Sequence, residues 1–146
     1  IGRMKAGPEQ ALTLDYLDRA RKLGRNAGIS AIEVLEGQEQ GAAAEADWLI
    51  ARRPQGSYTI TLDERGKPLT SAEVSTLIAG RRDQGTAAMA FLIGGPDGHG
   101  AAALDAANLK LSLGQMTWPH RLARALLAEQ IYRAVTIMVN HPYHRP

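Results

Sequence analysis

Apolar positions recur along this chain with two periods that alternate from one segment to the next. After the turn signal Gly7-Pro8, Leu12, Tyr16, Leu17, Ala20 and Leu23 fall at helical spacing, which predicts an amphipathic helix ending near Gly24 to Gly28. Ile32 and Val34 alternate with Ala31 and Glu33, and Leu35 extends the run, the pattern of a short strand. Gly37 to Ala46, rich in Gly, Ala, Gln and Glu, fits either a helix start or a flexible loop. Tyr58-Thr59-Ile60-Thr61-Leu62 has high strand propensity and should end where the polar turn Asp63 to Pro68 begins. Thr70 and Glu73 have the spacing of a capping box, and Val74, Leu77 and Ile78 supply one face of a helix that should stop before Gly85.

The second half repeats the alternation. Ala87 to Ile93 reads as a short apolar strand, wrapped on both sides if it lies centrally in a parallel sheet. It runs into Gly94-Gly95-Pro96-Asp97-Gly98, where glycine admits positive φ and proline fixes it. Ala101 to Asn108 can form a helix, Leu109 to Leu113 alternates as a strand, and Gly114 to His120 is a second glycine-containing loop. From about Arg121, residues Leu122, Leu126, Leu127, Ile131, Ala134, Val135 and Met138 line one face of a long helix closing at Asn140. Pro142 keeps the remaining His141 to Pro146 from continuing it. Strands alternating with helices predict an α/β fold with a mostly parallel sheet flanked by helices, in one domain over residues 1–146. Ligands of such sheets bind beyond the carboxyl ends of the strands. Asp63 to Pro68, Gly94 to Gly98 and Gly114 to His120 are the loops that would converge there.

Composition narrows the chemistry. The 146 residues are 45% hydrophobic and 22% charged, and no apolar run is long enough for a membrane span. No cysteine is present, which removes disulfides, thiolate metal sites and cysteine nucleophiles and suits the cytoplasm. The net charge is only +2, yet Arg121, Arg124, Arg133 and Arg145 gather in the last quarter with three of the four histidines. Such a local basic face favours a phosphate-bearing partner, or is simply a solvated helix face. Ile1-Gly2-Arg3 reads as the end of a strand, so part of an N-terminal segment is expected to be missing.

Neither GxxxxGK[ST] nor GxGxxG occurs, so nucleotide hydrolysis and a standard dinucleotide site lack support. Ser112 sits inside a strand without a nucleophile elbow and reads as structural. His141 and His144 flank Pro142 rather than sharing a helical face, and no acid accompanies them, so no metal site is expected. His99, between two glycines, reads as a surface residue. Trp118 could stack on a ligand or pack against the long helix, and Glu129 and Arg133 are spaced to pair with each other.

Taken together, LIGGPDG, SLGQMTWPHRLARALLAEQIYRA and the terminal NHPYHR resemble the ribosomal RNA large-subunit methyltransferase H family, the SPOUT-class enzymes that methylate N3 of a pseudouridine. The resemblance extends through TLDERGK and GRMKAGPE and so covers most of the chain; family members look longer at the front strand and at Gly37 to Ala46. It implies an α/β fold with a C-terminal trefoil knot whose loops bind S-adenosylmethionine. By motif, Leu62, Gly94, Leu113, Gly114, Gln115, Met116, Thr117 and Trp118 would surround the cofactor. His141, Tyr143, His144 and Arg145 would form the catalytic tail, with His141 or His144 as the base by intrinsic pKa and Tyr143 or Glu129 orienting base or ring. Arg124 and Arg133 would contact RNA phosphates. The resemblance further implies a homodimer in which one subunit's tail completes the other's site, and a substrate presented by ribosomal RNA in the assembled ribosome. A non-catalytic RNA-binding module of the same fold is the competing reading.

Overall fold

The computed structural model describes residues 1–145. Its elements run α1 (Pro8–Gly24), a single 3-10 turn (Arg25–Ala27), α2 (Ala42–Arg52), β1 (Tyr58–Pro68), α3 (Ser71–Asp83), β2 (Met89–Leu92), α4 (Ala101–Asp105), β3 (Leu109–Ser112) and α5 (His120–Met138). Three strands form one sheet in the order β2-β1-β3, and both pairings are parallel. The α/β reading with a parallel sheet therefore stands. β1, not β2, is the central strand, and its Ile60 is completely buried.

Alternation along β2 sorts its side chains to two faces. Met89 and Phe91 pack with Val74 and Ile78 of α3 and Ala134 and Met138 of α5, whereas Ala90 and Leu92 pack with Ile1, Trp48 and Leu49 on the other side. Helices α1 and α3 lie against α5, and α2 lies against α4. The α1 face is turned from the expected one: Thr13, Leu17, Ala20 and Gly24 are buried while Leu12 is exposed. The Thr13 hydroxyl satisfies itself on the Glu9 carbonyl at 2.7 Å, so a threonine can sit where leucine was expected.

Other expectations need correction. Residues Ile32 to Leu35 form no strand, and Val34 and Leu35 are largely exposed. Alternation there has no ladder to join, because Arg21 Nε takes the Ile32 carbonyl at 2.8 Å. Gly37 to Ala46 combines both options, a loop to Gly41 followed by the first turns of α2. β1 does not end at Leu62 but continues to Pro68, with a register shift that makes Leu111 the partner of both Leu62 and Lys67. On α5, Leu122 and Leu126 are exposed and the buried positions are Ala125, Leu127, Ala128, Tyr132, Ala134, Val135 and Thr136.

The capping box at α3 is fully formed. Thr70 Oγ1 accepts from the Glu73 N–H at 3.2 Å, and Glu73 Oε2 accepts from the Thr70 N–H at 2.7 Å. These bonds hold the Glu73 carboxyl below its usual pKa, so their stabilisation is present at neutral pH and is lost as pH falls through the lowered value. Thr70→Ala is expected to cost about 1 kcal/mol, read as a lower urea midpoint with an unchanged slope.

Candidate functional site

Because all three strands run in parallel, their carboxyl ends share one edge of the sheet. Thr61 is in register with Leu92 and Leu62 with Leu111, which sets Leu62, the Gly94 loop and the run from Leu113 to Trp118 side by side. The expected cofactor residues thus lie level at one edge, the Gly94 loop and the 113–118 run flanking Leu62 on either side. Hydrogen bonds join two of the loops: Thr117 Oγ1 donates to Glu64 Oε2 at 3.2 Å, and Ser112 Oγ lies 2.8 Å from the Gly114 carbonyl and 3.2 Å from that of Glu64. Ser112 therefore has the structural role its strand position suggested.

The Gly94 to Gly98 loop is a tight turn closed by Gly98 N–H to the Gly95 carbonyl at 3.0 Å, with Pro96 leading and Gly98 ending it at φ 77. A Cβ on Gly94 would stand 2.8 Å from the Gly98 carbonyl oxygen, and one on Gly95 would stand 2.7 Å from both carboxylate oxygens of Glu45. These glycines are needed first to let the loop fold on itself and onto α2. Gly114, by contrast, has φ 118 with open space where a side chain would be, and Met116 and Trp118 beyond it are exposed, Met116 to 72%. Bare backbone, one open glycine and uncovered apolar side chains suit a nucleoside-bearing cofactor held mainly by main-chain groups. Two clefts, of about 290 Å³ beside Arg19, Lys22, Leu23, Tyr132 and His141 and about 410 Å³ around Arg53 to Ser57, lie away from these loops.

His99 departs from its surface reading. Both ring nitrogens are buried without a hydrogen bond, and the ring lies near the Leu92 and Leu62 carbonyls and Asp63, under the exits of β1 and β2. Burial holds its pKa below the ordinary imidazole value, against the pull of those carbonyls and of Asp63. The fold excludes a proton that the unfolded chain accepts, so stability is expected to fall as pH drops below about 6.5. A His99→Leu variant should show a flatter decline of melting temperature between pH 7 and pH 5; an identical decline would remove His99 from the acid sensitivity.

The tail is docked rather than loose. Asn140 adopts φ 54, His141 N–H bonds back to the Thr136 carbonyl at 2.9 Å, and the chain returns along α5. Tyr143 OH donates to Glu129 Oε1 at 2.9 Å and lies 3.3 Å from Tyr16 OH, its ring packs 4.7 Å from that of Tyr132, and the Arg133 guanidinium sits 4.8 Å above it. Burial, the Tyr16 hydroxyl and Glu129 all raise the Tyr143 pKa, which keeps it a phenol. Arg133 binds Glu129 at 2.5 Å and approaches His144 Nδ1 at 3.5 Å; His141 and Arg145 are exposed. Arg124 is likewise taken, by Glu36 Oε1 at 2.5 Å and the Gly2 carbonyl at 2.7 Å.

Within one chain the two halves of the expected site stay apart. The strand-exit loops meet α5 at His120, whereas the tail docks near Glu129 and Arg133, about 13 Å or more farther along the helix axis. His120 and His141 likewise stand at opposite ends of α5.

Sequence reading missed Glu45 altogether. It is 6% exposed on α2, and its Oε2 accepts the Gly95 N–H at 3.2 Å. The signal was present, because Glu45, Ala46 and Leu49 share the apolar face of that helix and an acid there is out of place.

A family model described as a predicted SPOUT methyltransferase matches residues 1–144. The chain is 47% identical over 148 residues to the ribosomal RNA large subunit methyltransferase H of Dinoroseobacter shibae and equally to that of Paracoccus denitrificans, in each case over 99% of this chain and 95% of the relative. To the protein of the same name from Rhizobium etli it is 46% identical over 152 residues, with the same coverage.

Proposed function

The chain belongs to the SPOUT methyltransferase family, and on that premise we propose that it is an S-adenosylmethionine-dependent methyltransferase of large-subunit ribosomal RNA. The observation that carries the reading is the convergence of Leu62, Gly94 and the Leu113 to Trp118 run at the carboxyl edge of a parallel sheet. We assign N3 of a pseudouridine in the assembled ribosome as the acceptor, with the reaction in the cytoplasm. Membership of the family is what brings a trefoil knot, formed by the C-terminal strand-exit loops, into this reading.

The bound cofactor supplies an electrophilic methyl group, so the chain's own work is to position the acceptor, exclude water and remove one proton. Main-chain groups of residues 113–118 and of Gly94 would hold the cofactor, with Leu62 against it. His141 or His144 would take the N3 proton; Tyr143, kept as a phenol, orients rather than accepts. Arg145 is the exposed cation of the tail, while Arg124 and Arg133 can reach RNA phosphates only by leaving Glu36 and Glu129. Since the tail stands away from the loops of its own chain, the reading includes a homodimer in which each tail serves its partner's loops. Met116, Trp118, Leu122 and Leu126, exposed on the 113–119 loop and the first turns of α5, supply an apolar surface for that pairing.

Isothermal titration with S-adenosylmethionine, followed by methylation of ribosomes lacking the mark, tests this function. Saturable binding near one molecule per subunit and methyl incorporation into large-subunit RNA are expected. Binding without incorporation would leave the RNA-binding module, and absence of binding with ribosomes present would remove the cofactor assignment.

A further inference from the structure

Glu45 is a buried carboxylate without a side-chain cation. It is almost fully buried, its one hydrogen bond comes from the Gly95 N–H, and among the described residues no lysine, arginine or histidine pairs with it. His120 feels its charge but is held toward the neutral form by burial and by Arg121 and Arg124. Uncompensated buried charge is expensive, and proteins keep it where something else supplies the opposite sign. The position is informative: α2 brings the carboxylate flat against Gly95, in the loop leaving β2.

We propose that Glu45 is a positioning residue for the methyl donor, bracing the Gly94 to Gly98 loop through the Gly95 N–H and holding a fixed negative charge that favours a sulfonium in the adjoining site. The inference rests on the reading that these loops hold S-adenosylmethionine. Methyl transfer converts that sulfonium into the neutral thioether of S-adenosylhomocysteine, so the same charge helps the donor to stay and no longer holds the product. A purely structural carboxylate would support the loop equally for both ligands.

Paired calorimetric titrations of the full chain with S-adenosylmethionine and S-adenosylhomocysteine, in wild type, Glu45→Gln and Glu45→Met, separate the two roles. Glu45→Gln keeps an acceptor for Gly95 and loses the charge; it is expected to weaken donor binding about five- to tenfold while changing product binding less than about twofold. Glu45→Met removes the acceptor as well and should weaken both ligands, the donor again more. Each ratio is internal to one variant, so either variant that folds decides the matter by itself, and Glu45→Gln, which keeps the acceptor for Gly95, is the milder of the two. Equal weakening of the two ligands, or no change in either, overturns the charge role while leaving the cofactor reading intact. Wild type that binds neither ligand overturns both.

Discussion

Gly66→Ala is expected to destabilise the protein by about 3 kcal/mol, a fall in melting temperature of roughly 6–12 °C for a chain of this size. A Cβ at this position would stand 2.6 Å from the carbonyl carbon and oxygen of Lys110 and 2.8 Å from the carbonyl carbon of Leu111. Those are main-chain atoms of β3, which is paired to the middle strand of the sheet on either side of the register shift. A flexible side chain could swing away from such a contact; a paired strand cannot move without giving up ladder hydrogen bonds. The loss should also reach ligand binding, because Ser112 Oγ ties β3 to Glu64 and Gly114 just beyond the contact. Gly80→Ala, in the interior of α3 where nothing lies within 4 Å of the added Cβ, is the matched control and should be neutral or slightly stabilising. A Gly66→Ala protein melting with wild type would mean that Gly66 does not lie against the main chain of β3.

This contact marks where sequence reading stopped. Asp63 to Pro68 is polar and turn-like by composition, and only the partner strand turns it into an extension of β1. Elements with local signals were legible: the Thr70 capping box, the glycine stop after α3, the Gly94 to Gly98 turn and the long α5 all lie in the chain near where expected. Faces were harder. Leu122 and Leu126 fit a helical stripe as well as Ala125 and Ala128 do, yet close packing of α1 on α5 selects the alanines, since Ala20 and Gly24 of α1 are themselves small and buried. Ile32 to Leu35 had the right alternation and no partner. Glu45 left a trace, an acid on the apolar face of α2, but its partner Gly95 did not show in the sequence, and a histidine between glycines acquires meaning only from the carbonyls that surround it. The loop residues assigned by resemblance do meet at one edge, but the tail does not join them in one chain.

That separation yields the second large effect. Gly94→Trp deforms the loop where even a Cβ would lie 2.8 Å from the Gly98 carbonyl oxygen, and should abolish cofactor binding and methyl transfer. The double variant His144→Ala, Arg145→Ala should keep cofactor affinity and lose methyl transfer by about 100-fold or more, the scale of a missing proton acceptor and its partner. Tyr143, left in place, still anchors the tail through Glu129 and Arg133, so the loss is chemical and not an undocking. Each protein alone is therefore inactive, for reasons at opposite ends of the assigned site. If each tail serves the partner's loops, coexpression in equal amounts makes about half of all dimers mixed, and each mixed dimer has one site carrying both lesions and one carrying neither, so about a quarter of wild-type activity returns. If loops and tail act within one chain, every site keeps one lesion and nothing returns. Recovery of activity would thus assign the tail to the partner subunit, and its absence, with both variants folded by melting temperature and mixed dimers present by differential tagging, would rule that arrangement out.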